Sequence, residues 1–432
     1  MTSGLSLRNG SRAFAHRNYR LFFGGQGVSL IGTWMQTVAQ AWLVLQLTHD
    51  PFMLGLLSAA QFLPIMVFGL FGGIVADALP KRQTLIVTQT VQMLLAFALF
   101  ALTQAGVVQV WHIMVLAVLL GLSNAVDMPT RQAFSVEMVG REDVQNAVAL
   151  NSAMFNGARV VGPAVGGLAV GIFGLAIAFL VNGLSFLAVI IAYAAMDDDS
   201  LRSPAHYVRP TSLHGVGATL ADGLRYVARA PMLLLPITIL GVASTFGMNF
   251  GVVTPALAYS VLHTDAMGLG LLMTATGVGS VVAALLIAFS GRARPVFIGF
   301  GALLLGVGLA ATGIVNAFVP ALFAMALIGF GAIGMAATAN TTIQLNTEDE
   351  YRGRVMSVYA TVFAGSTPVG GIFVGWLASS YSVNTANVVA GLLCVLTGVV
   401  TLVWLRQIRA RRIAAARPRE TGSASASGAR PR

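Results

Sequence analysis

Residues 52–104 read FMLGLLSAAQFLPIMVFGLFGGIVADALPKRQTLIVTQTVQMLLAFALFALTQ, two long apolar runs separated by one short charged turn. Each run exceeds the ~20 residues that an α-helix needs to cross the hydrocarbon core of a bilayer. The turn between them carries Asp77, Lys81 and Arg82. Because backbone groups in lipid must hydrogen-bond within their own segment, both runs are predicted to be membrane-spanning helices.

The same alternation of apolar runs and short polar turns continues along all 432 residues. Only 9% of the residues are charged, whereas a soluble globular chain carries roughly 25%. Such a chain must present apolar surface to lipid, so we predict an all-α integral membrane protein. The twelve predicted spans lie near residues 21–47, 52–76, 83–104, 110–131, 146–172, 174–195, 232–260, 267–290, 295–316, 319–343, 353–379 and 384–405.

The 25 basic residues orient this predicted bundle. If the N-terminus lies in the cytoplasm, every Lys and Arg except Arg159 falls on the cytoplasmic side, where membrane proteins concentrate positive charge. We therefore predict that both termini are cytoplasmic, in a bacterial cytoplasmic membrane. The net charge of +10 is explained by this orientation, and we expect no nucleic-acid partner.

The predicted spans form two pseudo-symmetric six-helix halves. Pro163 with Gly166–Gly167 in span five is matched by Pro368 with Gly370–Gly371 in span eleven. Such paired interruptions point to a carrier whose halves move around a central site. The predicted divisions are a first half at 1–196, a cytoplasmic connector at 197–231 with an amphipathic helix at 222–229, a second half at 232–405, and a basic, disordered cytoplasmic tail at 406–432.

Span one carries polar side chains three or four residues apart, which places them on one helix face. In lipid this face is predicted to turn inward, where it either lines a substrate cavity or hydrogen-bonds neighbouring helices. Spans four and five offer polar residues to the same cavity. The candidate cavity residues are Gln26, Thr33, Trp34, Gln36, Gln40, Asn124 and Asn156.

Three charges in spans four and five are candidates for a charge relay or proton coupling: Asp127, Arg131 and Arg159. A mid-span arginine costs about 2.5–3.5 kcal/mol on insertion scales, so Arg159 is expected to be either functional or structurally paired. Asp127 is a candidate partner for Arg159, and equally for Lys81 and Arg82. As the best embedded carboxylate, Asp127 is also the candidate proton carrier.

Two short segments resemble motifs of the major facilitator superfamily. Residues 73–82, GIVADALPKR, resemble its signature loop G-x-x-x-D-x-x-G-[RK]-[RK], with Gly73, Asp77, Lys81 and Arg82 in register and with Ala78 and Pro80 departing from the pattern. The resemblance implies that these residues gate the transporter. Asp77 would latch onto the start of span eleven, near Gly353, since a carboxylate is favoured at a helix N-terminus.

Residues 162–167, GPAVGG, resemble the GPxxGG core found in major facilitator antiporters. The resemblance implies that Gly162, Pro163, Gly166 and Gly167 let span five bend and seal against the other half. Close packing of these four residues is the alternative interpretation, because Gly permits close backbone contact.

More specific likeness runs through DMPTRQAF at 127–134, NAVALNS at 146–152, GLRYV at 223–227 and RGRVMS at 352–357. These segments resemble the subfamily that holds the enterobactin exporter and the macrolide efflux proteins, over about residues 14–405. The resemblance implies the major facilitator fold, alternating access and proton-driven export.

Other classes of protein fit the sequence less well. An ATP-driven pump needs a P-loop with Gly-Lys-Ser/Thr, but the only lysine, Lys81, is followed by Arg82. We find no metal-binding motif and expect no metal, no cofactor and no enzyme activity. We predict a carrier, functional as a monomer, that exports an amphipathic molecule such as a drug, a macrolide-like compound or a siderophore with protons. The alternatives are an importer and, less favoured, a channel or a transport-like sensor.

Overall fold

The computed structural model describes residues 11–202, 213–290, 294–348 and 350–416, and its regular secondary structure in these ranges is helical. A short 3-10 helix at Arg12–Ala15 precedes the first half. The helices of that half are α1 (Arg17–Thr48), α2 (Phe52–Ala78), α3 (Lys81–Gln104), α4 (110–139), α5 (141–173) and α6 (Leu175–Ala194).

The boundary between α4 and α5 is a single residue in the continuous helical segment Val110–Phe173. Gly140 there has φ 76° and ψ 172°, a backbone conformation that glycine adopts without the Cβ clash of other residues. The guanidinium of Arg202 packs directly against Gly140, where a Cβ would stand. The backbone N–H of Arg202 donates to the carbonyl of Glu137 at 3.0 Å, which fastens the start of the connector to this corner.

The connector and second half contain α7 (Leu213–Arg229), α8 (Pro231–Gly247), α9 (Phe250–Ala256), α10 (Ala266–Ser290), α11 (Val296–Thr312), α12 (Phe318–Leu345), α13 (Arg352–Ser380) and α14 (Val383–Ala416). Helix α7 lies in the predicted connector, and Tyr226 stacks on Tyr351 with ring centroids 4.2 Å apart. The connector helix therefore packs on the second half.

The twelve predicted spans are confirmed, with differences in detail. Ten helical segments of the described chain are long and apolar enough to cross a membrane; Val110–Phe173 supplies two spans, and the 17-residue apolar helix Val296–Thr312 completes the set. Span seven, predicted as one helix, is broken at Met248 and Asn249 and ends in a π-helical turn, Leu257–Val261. The predicted tail begins inside a helix, because α14 continues to Ala416; residues 417–432 lie outside the described part.

The two ends of the bundle differ in how the halves meet. We call the end at which α1 begins and α2 ends the basic end, since the arginine-bearing connectors lie there, and the other end the opposite end. At the basic end, the first half packs a cluster around Tyr19, and α7 packs a separate cluster with α8 and α13 around Val355. The largest cluster joins both halves, and the first half enters it near the opposite end, as at Leu54 and Val170.

Backbone contacts between the halves are likewise closer at the opposite end than at the basic end. A Cβ on Gly55 of α2 would clash with the carbonyl of Gly371 in α13, near the opposite end. The same face of α2 continues through Gly69 and Gly73 toward the basic end, where no atom lies within 4 Å of an added Cβ. The halves are therefore closed together at the opposite end and separated at the basic end.

The contacts of α5 and α13 show the predicted duplication. Gly166 packs against Met35 of α1 in its own half, whereas Gly167 packs against Gly270 of α10 across the interface. In the second half, Gly370 packs against its own α8, and Gly371 packs across the interface on Gly55 and Ser58 of α2. Each glycine pair thus lets one helix approach two neighbours closely, as small residues do in membrane proteins.

Candidate functional site

A buried ion pair lies in the interior of the first half. Asp127 is fully buried, and its Oδ2 lies 2.7 Å from Nη2 of Arg131, one turn along α4. Thr88 Oγ1 and Gln89 Nε2 of α3 both donate to Asp127 Oδ1 at 2.8 Å. The carboxylate is held by one charge and two hydrogen bonds, the arrangement that a charge needs away from water.

Polar side chains extend this ion pair toward α1 and α6. Gln92 Nε2 of α3 donates to Asn124 Oδ1 at 3.3 Å. Asn182 Nδ2 of α6 donates to Gln36 Oε1 at 2.7 Å. The first bond joins α3 to α4 and the second joins α6 to α1. Residues of both pairs line one cavity inside the first half, and we call these side chains the polar network.

The polar network surrounds a cavity of about 90 Å³. Its polar lining residues are Gln26, Ser29, Thr33, Gln36, Gln40, Gln89, Gln92, Asn124, Arg131 and Asn182. All of them belong to the first half, so this cavity lies within that half and not between the halves. Two of its lining atoms, Gln26 Oε1 and Gln89 Oε1, are buried without a hydrogen-bond partner in the described chain.

Two of the seven predicted cavity residues lie elsewhere. Trp34 points away from the cavity and contacts Phe155 of α5, with ring centroids 5.9 Å apart. Asn156 donates from Nδ2 to the carbonyl of Ser152 at 2.8 Å on its own helix. The side chain of Gln36 lines the cavity and that of Trp34 does not, because side chains two residues apart on a helix point in different directions.

The basic residues of the signature loop have partners other than the predicted Asp127. Lys81 Nζ lies 2.7 Å from Glu137 Oε1 of α4, and both side chains are mostly buried. Arg82 donates from Nε to the carbonyl of Tyr193 at 2.7 Å and also binds Asp198. Both residues thus fasten α3 within the first half. Gly73 has free space around it, and the side chain of Asp77 lies outside the described part of the structure.

Arg159 lies where the halves meet, and the proposed pair with Asp127 is wrong. Its guanidinium carbon is 6.0 Å from the ring centre of Trp34 and 5.3 Å from that of Phe250 in α9. Both distances are in the range of a cation–π contact. No carboxylate of the described residues lies within salt-bridge distance of Arg159.

The four residues of the GPxxGG segment pack against two helices. Gly162 contacts Trp34 of α1, and the carbonyl of Pro163 contacts Gly270 of α10. Thr274 Oγ1 of α10 donates to the carbonyl of Val160 at 3.2 Å, which adds a hydrogen bond between the halves. Helix α5 stays helical through Pro163, so in this conformation the segment acts as a packing surface.

Several residues of the site were not found from the sequence. Glu137, Gln89 and Asn182 each contact a helix distant in the chain, and one sequence carries no pairing information of that kind. Phe250 was missed because span seven was taken as unbroken; Pro255 and Asn249 were the available signals of irregular backbone. Among the described residues, no group of three or more His, Cys, Asp or Glu could hold a metal ion.

Twelve apolar helices in two related halves, closed together at one end and separated at the other, define a transporter of the major facilitator type. The chain belongs to this superfamily, in the transmembrane secretion effector family, whose sequence profile matches residues 11–422. It is a multi-pass membrane protein, and it is a transporter of small molecules.

Three relatives support this assignment. The chain is 23% identical to the staphyloferrin A transporter of Staphylococcus aureus, over 84% of this chain and 90% of the relative. It is 27% identical to the multidrug efflux pump Tap of Mycolicibacterium fortuitum, over 88% and 93%. It is 20% identical to macrolide efflux protein A of Streptococcus pyogenes, over 89% and 96%. The resemblance to macrolide efflux proteins is thereby confirmed.

The fold also matches a solved structure, that of a POT family transporter in complex with 5-aminolevulinic acid. The TM-score is 0.72 at 12% identity, and the match covers 91% of this chain and 97% of the other. At this identity the likeness concerns the fold alone.

Proposed function

We propose that this protein is a proton-coupled exporter of an amphipathic small organic molecule in the bacterial cytoplasmic membrane, working as a monomer by alternating access. The observation that carries the proposal is the buried Asp127–Arg131 pair inside the first half. Relatives named as efflux pumps support export. The relative named as the staphyloferrin A transporter supports a small-molecule cargo.

The basic end faces the cytoplasm in this proposal, since positive charge is retained on that side. The conformation described above is then open inward and closed outward. Trp42 of α1 packs on Tyr259 at the opposite end, with ring centroids 5.4 Å apart, and this contact forms part of the outer seal. A substrate would enter from the cytoplasm or the inner leaflet between the separated halves.

The substrate binds between the halves and not in the polar cavity of the first half. Drug-sized ligands occupy pockets of roughly 300–1,000 Å³, whereas this cavity measures about 90 Å³. It has room for several water molecules, since roughly 10–15 Å³ of such space holds one. The free oxygens of Gln26 and Gln89 are acceptors suited to such water.

We assign the proton to Asp127. Protonation would neutralise its carboxylate and release Arg131, so the ion pair is an element with two states that a proton gradient can bias. Water in the adjoining cavity would connect Asp127 to the rest of the first half. Movement of the released Arg131 would then alter the packing of α4 against α2, which itself contacts α13.

Everted membrane vesicles test this proposal. Under an inward-acidic proton gradient, vesicles with this protein should accumulate an amphipathic organic acid such as 1-pyrenebutyrate, and an uncoupler should abolish the accumulation. Vesicles with the double variant Asp127→Asn, Arg131→Gln should show normal amounts of protein but no gradient-driven accumulation. Accumulation in right-side-out vesicles would identify an importer, and ion flux without solute movement would identify a channel; either result would overturn the proposal.

A further inference from the structure

Outside the polar network of the first half, the strongest unexplained feature is the charge of Arg159. A charged group inside a membrane bundle costs free energy, so such residues either pair with one another or mark a substrate path. Of the acidic residues in the spanning helices, Glu137 is bound to Lys81, and Asp77 lies at the basic end of α2. Asp127 is already bound to Arg131, so Arg159 lacks a resident counter-ion among the described residues.

The position of Arg159 is between the two halves. Gly277 of α10 packs against the backbone of Arg159 and Val160, and further contacts of α5 with α10 extend from there to the opposite end. On the other side, the side chain reaches Phe250, which follows the break in span seven. Arg159 therefore lies at the inner limit of the closed interface, where the separated basic ends converge. Discontinuous helices at the midplane are a feature of substrate sites in transporters.

The surroundings of the guanidinium are aromatic. Trp34 and Phe250 approach it from different halves, and Phe155 packs edge-on against Trp34. Rings can hold a cation without neutralising it, so the positive charge remains available to a ligand. A guanidinium binds a carboxylate through paired hydrogen bonds, and flanking aromatic rings accept an apolar body.

We propose that Arg159 binds the single anionic group of an amphipathic substrate, and that Trp34, Phe155 and Phe250 hold its apolar part. The site takes a monoanion such as an aromatic carboxylate, because one arginine can balance one negative charge. Since the rings come from both halves, a bound substrate would bridge the halves where they converge. This inference rests on the proposed function only for its direction of transport; the binding step needs no gradient.

Three pyrene probes with the same aromatic body test the site: 1-pyrenebutyrate, its uncharged methyl ester, and the cation 1-pyrenemethylammonium. Binding to purified protein in phosphatidylcholine nanodiscs is measured by energy transfer from tryptophan to pyrene, with empty nanodiscs subtracted. The zwitterionic lipid keeps anionic headgroups from competing. The wild-type protein should bind pyrenebutyrate more tightly than the ester, and the ester more tightly than the cation.

Arg159→Gln should weaken pyrenebutyrate binding roughly tenfold to a hundredfold, because it removes a hydrogen bond between two charged groups. The affinity for the ester should change by less than about twofold. Arg159→Lys keeps the charge and should retain part of the preference. Phe250→Leu should weaken both probes. Arg406→Gln, which removes an exposed charge in the basic-end part of α14, is the matched control and should change neither.

Equal loss of all three probes in Arg159→Gln protein that still elutes as a single folded species would show a structural role and overturn the site. So would failure of the wild type to bind any probe, or equal binding of ester and carboxylate. The two proposals fail separately. A protein that binds pyrenebutyrate through Arg159 but does not export under a proton gradient contradicts only the proposed function, and a gradient-driven exporter without an Arg159-dependent preference contradicts only the site.

Discussion

Helices α5 and α13 occupy related positions in the two halves and share a packing scheme. In each, the first glycine of a pair contacts the first span of its own half, and the second contacts the other half. Both helices carry a proline close before the pair, Pro163 and Pro368. The scaffold of the interface is therefore duplicated.

The chemistry on that scaffold is not duplicated. Arg159 lies seven residues before Gly166, and the residue seven before Gly370 is Phe363, whose ring stacks on Tyr359. The sequence from 296 to 345 and from 355 to 405 contains no charged residue at all. Within the spans, charge is thus a property of the first half, and the second half supplies apolar and aromatic surface. In the proposed mechanism, the first half therefore carries the proton chemistry and the second half moves against it.

The largest effect on stability is expected when the buried ion pair of the first half is broken. Asp127→Ala leaves Arg131 without its partner and should lower the free energy of unfolding by about 3–5 kcal/mol. Unfolding in mixed micelles measures this. Thr338→Val is the matched control in α12, because Thr338 is equally buried and only donates to the carbonyl of Gly334; its effect should stay near 1 kcal/mol.

The double variant Asp127→Ala, Arg131→Ala separates stability from coupling. It should recover most of the lost stability, since no charge stays buried alone, while gradient-driven transport stays absent. Recovery of transport together with stability would show that the pair is structural.

A smaller effect is expected at the duplicated glycines. A Cβ on Gly167 would lie 2.8 Å from the carbonyl of Ala266, so Gly167→Ala should cost about 1–3 kcal/mol by overpacking and should open the opposite end. A Cβ on Gly371 would meet Ser58 at 3.3 Å, a contact that the serine can relieve. After Cys394→Ala, the accessibility of a single cysteine introduced at the opposite end to a membrane-impermeant thiol reagent should rise in Gly167→Ala and less in Gly371→Ala. The reverse order would contradict the described packing.

Phe363→Leu sharpens the contrast with Arg159. Loss of a ring that carries no charge should change the affinity for pyrenebutyrate and for its methyl ester alike, by less than about 1 kcal/mol. Binding of the two probes in nanodiscs measures both. A selective loss of the carboxylate would show that anion recognition is shared by the halves.

The smallest effect is expected at the exposed connector. Arg225 and Asp222 form an ion pair at 3.3 Å, with side chains 72% and 48% exposed. Arg225→Gln should change the free energy of unfolding by less than about 0.5 kcal/mol, because water and salt screen such pairs. A loss comparable to that of Asp127→Ala would mean that this pair is buried against the membrane or another part of the chain.

Most of the fold follows from the sequence because lipid imposes a length and a composition on each span. The predicted start at residue 52 and the helix start at Phe52 agree for this reason. The break at Asn249 was not predicted, since the apolar run continues through it. The Gly140 corner is likewise not predicted: the spans expected at 110–131 and 146–172 leave 132–145 outside the membrane helices, whereas α4 and α5 both continue to Gly140.

The site was only partly predictable. The i, i+4 spacing of Asp127 and Arg131 suits a pair on one helix. Arg159, Lys81 and Arg82 were the candidate partners of Asp127 instead, the last two because they were expected at the same depth. Lys81 instead meets Glu137, and that contact depends on where α3 crosses α4. The spacing of the polar side chains in span one predicts that they face inward. The contact of Trp34 with Arg159 is not predictable in this way, because it depends on how α1 packs against α5.

Distances between spin labels across the two ends test most directly whether the halves rock about their shared contact. After Cys394→Ala, one pair joins Val148 of α5 to Leu286 of α10 near the basic end, and another joins Ile172 to Met267 near the opposite end. When substrate binds to the deprotonated protein, the basic-end distance should shorten while the opposite-end distance lengthens. If both distances change in the same direction, or neither changes under conditions in which transport proceeds, the two-half mechanism is wrong.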